Sequence, residues 1–144
     1  MAISPQPEQI QNLMANAPDG KLYMLNLLKF RERAAYADGR KTTLSGREAY
    51  GLYGQAVGRI IAGLGGRMVW GGVPNVLVIG DGDLEWDQVA IVEYPSFEAF
   101  AGMTASEDYQ AIHVHREAGL ESQLLINCLG PEQMQALLGD QPAQ

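Results

Sequence analysis

With 144 residues, 47% of them hydrophobic and 19% charged, the chain has the makeup of one globular domain that can bury a core without disulfides. Its formal charge of −7, from 10 basic and 17 acidic residues, repels phosphate backbones and anionic bilayers and argues against nucleic acid or membrane as partners. No run approaches the about 20 apolar residues of a membrane span, and no basic start precedes an apolar export signal, so the expectation is a cytoplasmic protein.

The whole of 1–144 is expected to be a single domain in three parts: a leader over 1–20, a core over 22–129 and a tail over 130–144. In the leader, Pro7-Glu8-Gln9 followed by Ile10, Leu13, Met14 and Ala17 predicts a short helix, stopped by Pro18-Asp19-Gly20. The phrase Pro131-Glu132-Gln133 repeats that start in the tail and reads as shared capping chemistry. Leu22 to Phe30 is nearly all apolar and predicts a strand buried on both faces. Arg31 to Lys41, with its Asp38-Gly39 turn, is a surface loop.

Ser45 with Glu48 forms a capping box, and the stripe Ala49, Tyr50, Tyr53, Val57, Ile60, Ile61 and Leu64 predicts a helix ended by Gly65-Gly66. Gly51, Gly54 and Gly58 flank the stripe; they mark either a close approach of another backbone or a weak helix held by its packing. Arg67–Trp70 and Asn75–Ile79 are β-rich, as one bent strand or two short ones, and Val89–Val92 is another strand. Pro95-Ser96 turns into a helix with Phe97, Phe100 and Met103 inward. Ser106 caps the next helix, and Gly119 is its expected C′ residue. Gln123–Leu129 is the last strand, with Cys128 expected as a buried, inert thiol.

The order β-α-β-β-α-β predicts an α+β, ferredoxin-like fold with a four-stranded antiparallel sheet. Helices on one face of that sheet leave the other to be covered, which a second copy can do, so a homodimer is expected.

Particular phrases carry a family resemblance: Tyr23-Met24-Leu25-Asn26-Leu27-Leu28-Lys29-Phe30, Gly65-Gly66-Arg67 and Glu93-Tyr94-Pro95-Ser96. To these add Ser106-Glu107-Asp108-Tyr109-Gln110-Ala111-Ile112 and His115-Arg116-Glu117-Ala118-Gly119-Leu120. Over 22–129 the chain resembles the domain of unknown function 1330, in the dimeric α/β-barrel superfamily. The resemblance implies a ferredoxin-like subunit that dimerises sheet against sheet. It also implies kinship with cofactor-free oxygenases, lactone isomerases and haem-binding peroxidases, but no particular reaction.

Several side chains can carry chemistry. His113 and His115 point about 200° apart on a helix, so they cannot share one metal ion, and no metal site is expected. Either imidazole can act as general acid or base, or serve as a helix-end cation, and Arg116 can hold a carboxylate or enolate. Asn26 interrupts an apolar strand and must find partners, in a ligand or in neighbouring backbone. Arg67 and Trp70 bring a cation and an aromatic face; Tyr50 and Tyr53 either present hydroxyls to a cavity or fill the core. Asp81, Asp83, Glu85 and Asp87 alternate like a calcium loop but lack its glycine and closing glutamate. No phosphate loop or nucleophile motif is present, and no cofactor is expected.

Two functions are therefore expected side by side. One is a cofactor-independent enzyme for a small organic substrate, by proton transfer or oxygenation, with His115, Arg116 and Arg67 catalytic and Asn26, Tyr50, Tyr53, Trp70 and His113 at the substrate. The other is a dimer that binds a small ligand without turnover. Haem held by a helical histidine is a third reading.

Overall fold

The computed structural model describes residues 2–139; Met1 of the expected leader and residues 140–144 of the expected tail lie outside them. The chain order is α1 (Pro7–Asn16), β1 (Leu22–Phe30), α2 (Gly46–Gly63), β2 (Arg67–Gly72), β3 (Gln88–Tyr94), α3 (Phe97–Ala105), α4 (Glu107–Gly119), β4 (Leu120–Cys128) and α5 (Pro131–Leu138). The strands form one antiparallel sheet in the order β2-β3-β1-β4. This is the ferredoxin-like arrangement, with α2 as the first crossover and α3–α4 as the second.

Local chemistry explains most element ends. Ser45 Oγ accepts from Glu48 N at 3.0 Å while Glu48 Oε1 accepts from Ser45 N at 2.8 Å, so the capping box starts α2. Gly65 leaves α2 in the left-handed region at φ 86°, and Gly66 N donates to Ile61 O at 2.9 Å. The two Pro-Glu-Gln phrases use one device: Gln9 Oε1 accepts from Gln6 N at 2.8 Å, and Gln133 Oε1 accepts from Gly130 N at 2.6 Å.

Four expectations are corrected. Asn75–Ile79 is not a strand, because β2 already ends at Gly72 and the following Val73–Ile79 stretch is irregular and largely exposed. The last strand begins at Leu120, not Gln123, because Gly119 ends α4 without entering the left-handed region and the chain passes directly into the strand. Gly119 is small for a different reason. A Cβ there would lie 2.4 Å from Gly46 O and 2.8 Å from Tyr50 N, where α4 crosses α2. Third, β1 is not buried on both faces: Leu22, Met24 and Leu28 are buried, whereas Leu25 and Leu27 are only half-buried. Fourth, Cys128 is half-buried.

The core lies between the sheet and the helices. Leu22, Met24 and Tyr94 from the strands meet Tyr53, Val57 and Ile61 of α2, Met103 of α3 and Tyr109 of α4, and Leu13 of α1 packs at its side. A smaller cluster of Tyr36, Ala49 and Ala118 joins the loop before α2 to both long helices. Gly51, Gly54 and Gly58 face away from this packing, with nothing within 4 Å of an added Cβ.

Candidate functional site

Helix α4 carries the polar groups of the site. Ser106 Oγ accepts from Tyr109 N at 3.2 Å and starts the helix, and Tyr109, Ile112, His113 and Arg116 then follow at three- and four-residue spacing on one side. From the last turn, Arg116 Nη2 reaches the carbonyl of Ile3 and Gln123 Oε1, the latter at 2.5 Å. Gln123 Nε2 donates to Asn26 Oδ1 at 2.9 Å, and Asn26 Nδ2 lies 3.4 Å from Ala90 O. A chain of fixed dipoles thus runs from α4 over β4 and β1 to β3. The half-buried asparagine foreseen in β1 finds its partners in it.

Behind Arg116 stands a row of aromatic rings. Phe30 and Tyr50 have centroids 5.3 Å apart, Tyr50 and Tyr53 5.2 Å, Tyr53 and Tyr109 6.0 Å, and Tyr109 and His113 5.7 Å. The Tyr53 and Tyr109 hydroxyls are 3.1 Å apart and buried. Burial pushes the Tyr50 hydroxyl up to about 12, with Arg116 pulling weakly the other way. Burial, reinforced by Tyr109, also raises Tyr53 well above its ordinary range. These phenols therefore stay protonated at neutral pH, and in the Tyr53–Tyr109 contact either hydroxyl can be the donor.

In front of Arg116 lies a groove of about 580 Å³, roofed by residues 2–5 and α1 and floored by β4. Ile10, Leu13, Met24, Phe100 and Leu125 make its apolar wall, and Asn12, Asn16, Asn127 and Gln123 supply amides. Arg116 is its one charged lining residue among the described residues. The roof is tied to the edge strand where Gln123 N donates to Ala2 O at 3.0 Å. A second hollow of about 530 Å³, where α2 ends beside α3 and α4, carries Arg59 together with Glu98 and Asp108, so its acidic groups outnumber its cation.

The structure brings together Asn26, Tyr50, Tyr53, His113 and Arg116 of the residues singled out in the sequence. Of these five only Arg116 lines the groove, with Asn26 linked to it through Gln123; His115, Arg67 and Trp70 lie elsewhere. His115 Nδ1 is 2.8 Å from Tyr36 Oη, in the smaller cluster on another side of α4. Arg67 sits on the strand edge opposite β4, its Nε 3.4 Å from the buried carboxylate of Glu93, and Trp70 on the same strand is 58% exposed. His113 Nδ1 contacts Glu117 Oε1 at 2.8 Å, one helical turn along.

Gln123, Asn127 and the Ile3 carbonyl escaped the sequence reading. Gln123 had a usable signal, a polar residue next to an apolar run, but only the register reveals it beside Asn26: Leu28 pairs with Gln123, and Asn26 with Leu125. The roof carbonyl left no signal, since a main-chain group has no sequence identity. Among the described residues no cluster of three or more His, Cys, Asp or Glu side chains could hold a metal ion. Nor is any helix among them long and apolar enough to cross a membrane.

Fold and groove together define a ferredoxin-like α+β chain with a polar-ended cleft between its sheet and its helices. The sequence pattern of the domain of unknown function DUF1330 matches residues 34–127, and the chain belongs to that family. It is similar to the crystal structure of a protein of unknown function from Rhodopseudomonas palustris, 40% identical, with a TM-score of 0.79 over 90% of this chain and 98% of that one. A methylated form of that protein gives a TM-score of 0.78 at 40% identity, over 90% and 96% of the two chains. A dimeric protein of unknown function and ferredoxin-like fold from Bacteroides fragilis NCTC 9343 is 12% identical, with a TM-score of 0.43 over 75% and 94%, too remote to bear on this chain. No curated protein matches the sequence significantly.

Proposed function

We propose that the protein is a homodimer that binds a small organic molecule in the groove between α1 and β4. One observation carries the reading: an apolar cleft of about 580 Å³ ends on a single guanidinium held in place by a chain of amides. That volume falls in the ordinary range for ligand sites, and a few fixed polar groups in an apolar wall are what orients a small molecule. Among the described residues the groove lining contains no His, Asp or Glu, so binding has stronger support than proton transfer at the groove itself.

A second copy is supported by the sheet face that none of the described helices covers. Register puts Trp70, Ile91, Leu25 and Ile126 in one row across the four strands, with Val89, Leu27 and Leu124 beside it. Trp70, Leu124 and Ile126 are 58%, 47% and 42% exposed in the isolated chain, which is costly for an apolar patch on a monomer.

Catalysis has one specific observation in its favour. His113, one turn before Arg116, is paired with Glu117 just after it, and a carboxylate-oriented imidazole suits a general base. A His113→Ala variant that binds ligand but has lost turnover would support an enzyme; full turnover in that variant would exclude His113 as the base. The binding reading is tested by titrating small organic fragments against methyl and amide signals in solution. Saturable shifts at Leu13, Met24 and Leu125 are expected, with those of Val73 and Val78 unmoved. A fragment set that moves none of the groove signals contradicts the reading.

A further inference from the structure

We propose that the groove takes a singly charged organic carboxylate with an apolar tail, whose carboxylate replaces the Ile3 carbonyl on Arg116. The inference rests on the groove being a ligand site and names what fills it.

The charge pattern points to an anion. Arg116 is half-buried, and the oxygens it touches, Ile3 O and Gln123 Oε1, are both neutral. No carboxylate among the described residues lies within ion-pair distance of it, whereas Glu93, Glu121, Asp38 and Glu117 each pair with another cation or histidine. A half-buried guanidinium without a counter-charge gains more from a carboxylate than from a main-chain carbonyl, since the carboxylate adds the attraction of opposite charges to the hydrogen bond. Its planar fork also matches both oxygens of a carboxylate.

The same pattern limits the anion. Among the described residues one cation lines the groove, and the chain as a whole carries −7, so a dianionic phosphate or a nucleotide meets net repulsion. A single negative charge is balanced. The rest of the described wall is uncharged: Ile10, Leu13, Met24, Phe100 and Leu125 offer apolar surface to a tail, and the amides of Asn12, Asn16 and Asn127 add no second charge.

The replaced group is positioned for exchange. Ile3 precedes α1, and its short segment is fastened by Ala2 O on Gln123 N at 3.0 Å as well as by Arg116. Loss of the Ile3 contact leaves the Ala2 bond in place. Gln123 remains bound on the far side to Asn26, so the guanidinium keeps its aim while its acceptor changes.

Calorimetric titration of the full chain with octanoate, octan-1-ol and acetate tests this. Octanol reports the groove alone, acetate the charge alone, and octanoate both. Octanoate is expected to bind about tenfold or more tightly than octanol, as a hydrogen bond to a charged group implies. Acetate is expected to bind far more weakly than either. R116Q should bring octanoate and octanol level, and R116K should keep part of the difference. Equal affinity of octanoate and octanol for the wild-type chain overturns the carboxylate assignment and leaves the groove standing. Binding of neither overturns both. The wild-type comparison decides without any variant, so a poorly folding R116Q does not blunt the test.

Discussion

The two faces of the sheet come from the same four strands and are almost equally apolar, yet they meet opposite fates. On one face Leu22, Met24, Val92 and Tyr94 lie under α2, α3 and α4, and the groove opens where that cover thins over β4. On the other, Trp70, Leu124 and Ile126 remain exposed in the single chain. Apolar residues at both parities of a strand thus state that both faces are to be covered, without stating by what. Helices of the same chain cover one; a second copy is the proposed cover of the other.

The largest effect is expected from breaking the second half of that comparison. Ile126→Arg puts an unpaired charge in the centre of the proposed subunit contact, and such a charge costs about 3 kcal/mol or more. Sedimentation should show dimer affinity falling about a hundredfold or more, with the helical signal of the fold retained. Unchanged assembly would place the contact elsewhere.

The helix-covered face is tested next, through its closest approach. Gly119→Ala drives a methyl into Gly46 O and the Tyr50 backbone. Overpacking of this kind costs about 1–3 kcal/mol, read as a lower urea midpoint. Insensitivity would mean that α2 and α4 cross less tightly than described.

A pH effect of middle size separates the faces further. The Tyr50 hydroxyl titrates at about 12 in the folded chain against 10.0 when unfolded, chiefly because burial disfavours the phenolate. The unfolded chain therefore loses that proton first. The stabilisation is complete below pH 10 and is lost as pH rises through about 12. Tyr50→Phe should flatten part of the alkaline decline in the urea midpoint; an identical decline would assign it to the other buried tyrosines.

The smallest effect concerns the outer surface of α2. Gly54→Ala has open space around the new methyl, so helix propensity alone should raise stability by up to about 1 kcal/mol. Weakened dimerisation in that variant would instead put the glycine ridge at a subunit contact.

How much of this was legible in the sequence differs by region for physical reasons. Capping groups act within three or four residues, so Ser45, Glu48, Ser106 and the paired Pro-Glu-Gln phrases gave the helix starts directly. Strand ends proved harder. Val76 to Ile79 is as β-prone as β2, but no neighbouring strand pairs with it, and pairing is not a local property. The site divides in the same way. Arg116 was readable as a cation that can hold a carboxylate, His113 as an imidazole for acid–base work, and Asn26 as a polar break in an apolar strand. That Gln123 joins them depends on the β1–β4 register, and the approach of Ile3 depends on where the leader lies. His115 and Arg67 looked equivalent to Arg116 in the sequence because the partners that occupy them, Tyr36 and Glu93, are distant along the chain.

The central claim is that the uncovered face pairs with a second copy while the covered face keeps a groove for a small molecule. Native mass spectrometry of the full chain in the presence of octanoate addresses both halves at once. The account predicts a dimer that takes up ligand to a limit of two molecules, one for each groove. A monomer at concentrations where the fold is intact, or a dimer that takes up none, would contradict it.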